Sequence, residues 1–196
     1  MGAHREVPLN AVLDAASFVR PYPGSPRGGD LGVIRPLEDG ALVALVDALG
    51  HGLTAHAAAM VAHRSLLGTR SEEPAVILAE LHQALRGTVG AVAAVARIFR
   101  ERFTFAGIGN VGGWYGGRRL LSREGILGQH YRPPRVTEQP ISCAEWLLLH
   151  TDGVSYSGAA LPSGTAETVV RALVTSSGKS HDDAAVLAAR WVEGVQ

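Results

Sequence analysis

Four acidic positions in this 196-residue chain stand where carboxylates can do chemistry: Asp30 in RGGD, Asp47 in VDALGHG, Asp152 in HTDGV and the doublet Asp182-Asp183 in SHDDAAVL. Each closes a β-like apolar run or sits in a glycine-flanked turn, so each is a carboxylate held at the end of a rigid segment. They are far apart in sequence, but strand ends of one layered domain can converge at one edge. Gathered carboxylates repel and stay ionised together only against a cation, and an all-oxygen donor set selects a hard one such as Mg²⁺ or Mn²⁺. A lone Asp-Gly is ordinarily a turn, as Asp39-Gly40 is expected to be. The weight therefore rests on the whole set, together with the Gly-His-Gly loop that follows Asp47.

The elements that must position these acids are legible from periodicity. Residues 7–20 fit strand or helix, read here as strand in part, and Pro21, Pro23 and Pro26 break the chain after them. LGVIRPLE and GALVALVD are β-like runs around Asp39-Gly40, a hairpin signal. Residues 53–67 are rich in alanine and leucine without glycine or proline, which predicts a helix ending near Gly68. Ser71-Glu72-Glu73-Pro74 opens a second, with the acids expected in its first turn, Ile77, Leu78, Leu81 and Leu85 at helical spacing, and Gly87 and Gly90 stopping it. AVAAVARIF, RFTFAGI, VGGWYGG, RRLLS and AEWLLLHTDG read as strands, TAETVVRALVTS as a helix and AAVLAARWV as a last strand. Strands and helices come in separate runs, which points to an α+β fold with mostly antiparallel sheets and argues against a doubly wound one.

Composition narrows the partners. With 46% hydrophobic and 18% charged residues the chain is globular, and its length suits one domain, 1–196. Lys+Arg 18 balance Asp+Glu 18, which gives no electrostatic reason to expect nucleic acid or an anionic membrane. No apolar run approaches the ~18–20 residues that span a bilayer, and MGAHREVPLN lacks the apolar core of a signal peptide, so a cytoplasmic protein is expected. Glu6 stands where a myristoylation site needs Ser or Thr. The single Cys143 is read as a small buried hydrophobe, since ISCAEW offers neither a phosphate loop nor an arginine.

GGD, then DALGHG before a helix, then TDGV, then DDAA before a terminal strand resemble the protein phosphatase 2C superfamily, and within it the SpoIIE-type bacterial serine phosphatases. The likeness runs from about Arg27 to Ala189, and GIGNVGGWYGG and REGILGQ are similar to the family's glycine-rich sheet segments. It implies an αββα sandwich of two mostly antiparallel sheets flanked by helices. It implies that Asp47 bridges two divalent metal ions, Mn²⁺ or Mg²⁺, that the backbone carbonyl of Ala48 binds the second, and that Asp152 and Asp182 complete the ligands of the first. Asp30 would stand behind them, holding metal-bound water or a weaker ion. Hydrolysis would then proceed through a metal-bridging hydroxide with no protein nucleophile, with the N-terminus of the helix near Leu53 close to the phosphate.

The remaining residues are read beside that pattern. His51 either protonates the leaving oxygen or orders its loop. His56 and His63, seven apart, lack metal-pair spacing and are read as structural. Arg27 either contacts phosphate or is an exposed loop arginine, and Trp114 and Tyr115 are expected to pack on strands. The chain departs from the family at Ala48 (usually Gly), Ala185 (commonly Ser or Thr) and Leu31-Gly32 (often aromatic). Only 29 residues precede Asp30, too few for a sensor domain. Similarity to the short stressosome phosphatases implies phosphorylated STAS-domain proteins as partners. These would be a stressosome scaffold or, alternatively, an anti-sigma-factor antagonist; a third reading is a non-catalytic binding module that retains the fold.

Overall fold

The structure is a computed structural model and describes residues 7–8, 10–22, 24–143 and 145–194; Pro23 of the expected break and the Met1-Gly2 terminus lie outside them. The chain runs β1 (Val12–Arg20), β2 (Asp30–Leu37), β3 (Gly40–Ala48), α1 (Gly52–Gly68), α2 (Pro74–Ala84), β4 (Ala91–Phe99), β5 (Arg102–Ile108), β6 (Gly112–Tyr115), β7 (Arg118–Leu120), β8 (Thr137–Pro140), β9 (Leu147–His150), α3 (Ala166–Ser177) and β10 (Ala184–Val192).

Strand periodicity builds the layers. In β3, Val43 and Leu45 face one core while Leu42, Ala44 and Val46 face another, so the strand is buried on both sides and reads as a continuous apolar run. The first core lies between two five-stranded sheets, β1-β10-β9-β6-β7 and β2-β3-β4-β5-β8, in which every pairing is antiparallel. The second core lies under α1 and α2, and a third joins α3 to the outer face of the other sheet. The result is the expected αββα sandwich.

The helices dock by matched faces. Ala55, Ala58, Ala59, Ala62 and Leu66 make the buried stripe of α1, and its small side chains let the helix ride close on the sheet. In α2, Pro74 occupies the first turn, and burying Ile77, Leu78 and Leu81 contributes roughly 1.5–3 kcal/mol each. The acids expected in its first turn lie before it. Glu72 instead accepts a hydrogen bond from Arg97 Nε of β4 at 2.7 Å, and Asp39 pairs with the same guanidinium, so this buried charge is neutralised. The Thr165 side chain caps α3 by accepting from the Thr168 N–H, while the Asp14 carboxylate of β1 accepts from the Ala166 N–H at 3.0 Å. The edge strand β8 was not anticipated, because TEQP is short, polar and half-exposed and carries no apolar alternation.

Candidate metal centre

The hairpin register sets Asp30 of β2 directly opposite Asp47 of β3. Asp47 continues the alternation of Val43 and Leu45, and Asp30 that of Gly32 and Ile34, so both carboxylates point between the sheets where the apolar core ends. The facing sheet supplies the rest. Thr151 follows the phase of Leu147 and Leu149, and Asp183 that of Ala185 and Leu187, whereas Asp152 is exposed and Asp182 half-buried. All the sequence-predicted acids therefore gather at one end of the sandwich.

Hydrogen bonds divide the labour among them. Thr151 Oγ1 donates to Asp30 Oδ2 at 2.7 Å and accepts from the Ala185 N–H at 3.0 Å, tying one sheet to the other. His150 holds the preceding position. Its Nε2 accepts from Trp114 Nε1 at 3.1 Å, leaving Nδ1 to donate to the Thr151 carbonyl at 2.9 Å, and burial lowers its pKa towards this neutral form. The two oxygens of Asp183 accept from the N–H groups of Tyr22, at 2.5 Å, and Gly29, at 2.6 Å. Asp183 thus anchors the RGGD loop and leaves Asp182 as the freer member of the doublet. Asn110 Nδ2 donates to Asp152 Oδ2 at 2.9 Å.

The glycines of RGGD answer to close approach. A Cβ at Gly28 would lie 2.6 Å from Asp183 Oδ1, and one at Gly29 would lie 2.9 Å from both the Ala48 carbonyl oxygen and the Ala55 Cβ. The Ala48 N–H donates to the Gly29 carbonyl at 3.1 Å, and the Ala48 methyl is fully buried in the core under α1. The methyl that departs from the family pattern therefore packs inward, beside the alanine stripe.

His51 occupies the N-cap position of α1 without a side-chain cap, and its ring stacks on Tyr22 with centroids 5.6 Å apart. It is exposed and, among the described residues, bonds to no carboxylate, while His56 Nδ1 lies 3.2 Å from the Gly28 carbonyl and steadies the same loop from the helix. Arg27 is exposed, and Trp114 packs edge-on against Tyr156 while the Tyr115 hydroxyl accepts from the Ser142 N–H at 2.6 Å. Cys143 is partly buried, with Sγ 3.4 Å from the Trp191 carbonyl.

The electrostatics test whether a cation fits. The Asp47 pKa is raised to about 7, first by withdrawal from water and then by the charges of Asp152, Asp182 and Asp183, with no hydrogen bond among the described residues opposing them. Asp30 is raised well above the ordinary carboxylate range, first by burial and then by Asp47, against the Thr151 hydrogen bond. A carboxylate withdrawn from water among other anions, as Asp30 and the half-buried Asp47 are, gains most from a hard cation, and every donor here is oxygen. Among the described residues no three His, Cys, Asp or Glu side chains converge on a finished coordination sphere. The acids stand around this end of the sandwich as an open ring, close enough to raise the pKa values of Asp30 and Asp47.

Sequence reasoning missed Thr151, Asn110 and the anchoring role of Asp183. Thr151 was detectable in principle, as the one polar residue in phase with the inward-facing leucines of β9. Asn110 and Asp183 follow only from tertiary contacts.

No family model matches the chain, and no curated protein matches it in sequence. Solved structures do match. A component of the bacterial stressosome, described as a modular system adapted to control secondary messenger signalling, is 28% identical over 91% of this chain and 100% of its own, with a TM-score of 0.84. RsbX in complex with magnesium is 18% identical over 95% of this chain and 98% of its own, TM-score 0.81. The catalytic domain of the serine/threonine phosphatase PstP with two manganese ions is 17% identical over 93% of this chain and 99% of its own, TM-score 0.73. The chain has the fold of the protein phosphatase 2C superfamily, as its sequence motifs indicated. Among the described residues no helix is long and apolar enough to cross a membrane.

Proposed function

We propose that this chain is a single-domain, cytoplasmic, Mn²⁺- or Mg²⁺-dependent protein phosphatase of the RsbX-like kind, which hydrolyses phosphoserine or phosphothreonine on STAS-domain stressosome proteins. The observation that carries the reading is Asp47, a half-buried carboxylate opposite Asp30 with like charges around it and, among the described residues, no hydrogen bond to relieve it.

Asp47, Asp152, Asp182 and the Ala48 carbonyl would hold two divalent ions. These supply Lewis acidity that makes water nucleophilic near neutral pH and offsets charge on the phosphate. The chain's own residues do the positioning. Thr151 fixes the face that Asp30 presents, and Asn110 holds Asp152 towards the site. Asp183 holds the Gly29 N–H, and the Gly29 carbonyl in turn accepts from the Ala48 N–H, which ties the RGGD loop to the end of β3. The Tyr22–His51 stack walls the loop between Asp47 and α1, whose first N–H groups have no side-chain cap and favour an anion.

Phosphate release from a serine-phosphorylated STAS protein, with Mn²⁺ and with EDTA, tests the proposal. Release that requires Mn²⁺ is expected. No release, while the phosphoserine of an anti-sigma-factor antagonist is cleaved, would move the substrate to the partner-switching pathway.

A further inference from the structure

Arg123, Glu124, Gln129, His130, Tyr131 and Arg132 line a cationic cleft of about 720 Å³. The segment that builds it is held in place from several sides. Ile126 N–H donates to the His130 carbonyl at 2.8 Å, and Gln129 N–H to the Ile126 carbonyl at 3.1 Å. Gln129 Nε2 reaches the Val89 carbonyl at 2.7 Å, and the Tyr131 ring stacks on His82 of α2 with centroids 4.8 Å apart. Gly125, at φ +154°, admits no side chain, since its Cβ would lie 2.7 Å from the His130 carbonyl oxygen. The cleft is therefore preformed, and binding there costs little ordering of the backbone.

Its charge is not consumed within the fold. Arg123 is oriented by donating from Nη1 to the Pro133 carbonyl at 2.9 Å, and both Arg123 and Arg132 are exposed. Neither forms an ion pair among the described residues. With His130 beside them, two arginines outweigh the single Glu124.

Position links the cleft to the acid ring. Arg123 bridges Ile108 and accepts a hydrogen bond from the Gly109 N–H at 2.7 Å, and the next residue is Asn110, which holds Asp152. Asp47 lies opposite Val92 of β4, and β5 follows β4, so Arg123 stands three strand spacings from Asp47, roughly 14 Å along the sheet end. An extended peptide covers that in about four residues.

We propose that this cleft docks the acidic flank of the phosphoprotein substrate, taking Asp or Glu side chains about four residues from the phosphorylated serine or threonine. The proposal rests on the phosphatase reading. The acid ring repels an acidic peptide, and the arginines offset that repulsion at the distance where the flank emerges, so the pair selects for sequence around the phosphate.

Short phosphoserine peptides with glutamates or glutamines at that spacing test it, alongside p-nitrophenyl phosphate, which has no flank. With Mn²⁺ the glutamate peptide should show the lower KM. Arg132→Ala should raise that KM by about fivefold, leave kcat and the p-nitrophenyl phosphate rate unchanged, and be partly rescued by Arg132→Lys; high salt should erase the preference. Among the described residues the Arg132 side chain makes no hydrogen bond, so its loss leaves the fold undisturbed, whereas Arg123→Ala removes the bond to the Pro133 carbonyl. Equal KM for the two peptides, or a preference that survives Arg132→Ala, would overturn the proposal. Should the wild type hydrolyse none of these substrates, the phosphatase reading fails by itself. An amide-shift titration with the unphosphorylated glutamate peptide then decides the cleft: shifts at Gly125 and Gln129 that vanish in Arg132→Ala uphold it, and their absence overturns it.

Discussion

Thr151, at the end of β9, donates its hydroxyl hydrogen to Asp30 of the opposite sheet at 2.7 Å. The bond crosses the interface between the sheets and is fully buried, so it both staples the sandwich and aims one carboxylate. Thr151→Val keeps the shape but leaves Asp30 Oδ2 and the Ala185 N–H unpaired, a cost of about 1–3 kcal/mol in urea unfolding. Thr151→Ser, which keeps the hydroxyl, should lose less than half as much. Equal losses in the two variants would mean that the methyl group, not the hydrogen bond, matters.

Asp47 sets a pH dependence of unusual sign. Its pKa of about 7 lies above the ordinary 3.8, so between these values the folded metal-free protein holds a proton that the unfolded chain releases. Stability from this group is greatest below the unfolded value and is lost as pH rises through the folded one. In EDTA, calorimetric Tm should fall from pH 5 to pH 8, and Asp47→Asn should flatten the slope and raise Tm at pH 8 by about 5 °C. Identical slopes in the two proteins would remove Asp47 as the cause.

The RGGD glycines separate close approach from loop flexibility. Gly29→Ala sets a methyl 2.9 Å from the Ala48 carbonyl oxygen, so it should displace that carbonyl and lower Mn²⁺-dependent turnover at least tenfold, about 1.4 kcal/mol. Gly68→Ala, at the end of α1 with open space around it and no positive φ, should be neutral or stabilising by up to about 1 kcal/mol. Turnover unchanged in Gly29→Ala would dissociate the loop from the site.

His51 stacks on Tyr22, whose N–H is held by Asp183, a geometry that suits ordering of the loop. His51→Ala should therefore slow a phosphoserine peptide and p-nitrophenyl phosphate by the same factor, about fivefold or less. A loss confined to the phosphoserine peptide, whose poorer leaving group needs a proton, would instead make it the acid.

Much of this was legible in the sequence for a physical reason. Buried strands such as β3 and β4 are apolar throughout, Asp39-Gly40 announces its turn, and the stripe of α1 repeats with the helix, so layers and acids could be placed in order. Glu72 was misplaced because a first-turn acid and an ion-pair partner look alike until Arg97 is seen beneath them. The strand β8 gave no signal because edge strands need no apolar face. Thr151 and the anchoring role of Asp183 were overlooked because they depend on Asp30 and Gly29, more than a hundred residues away in each case.

Calorimetric titration with Mn²⁺ near pH 7.5, in the wild type and in Asp47→Asn, tests whether Asp47 is the carboxylate shared between two divalent ions. Two binding events in the wild type and their collapse in the folded variant are the predicted result. The same isotherm in both proteins would contradict it.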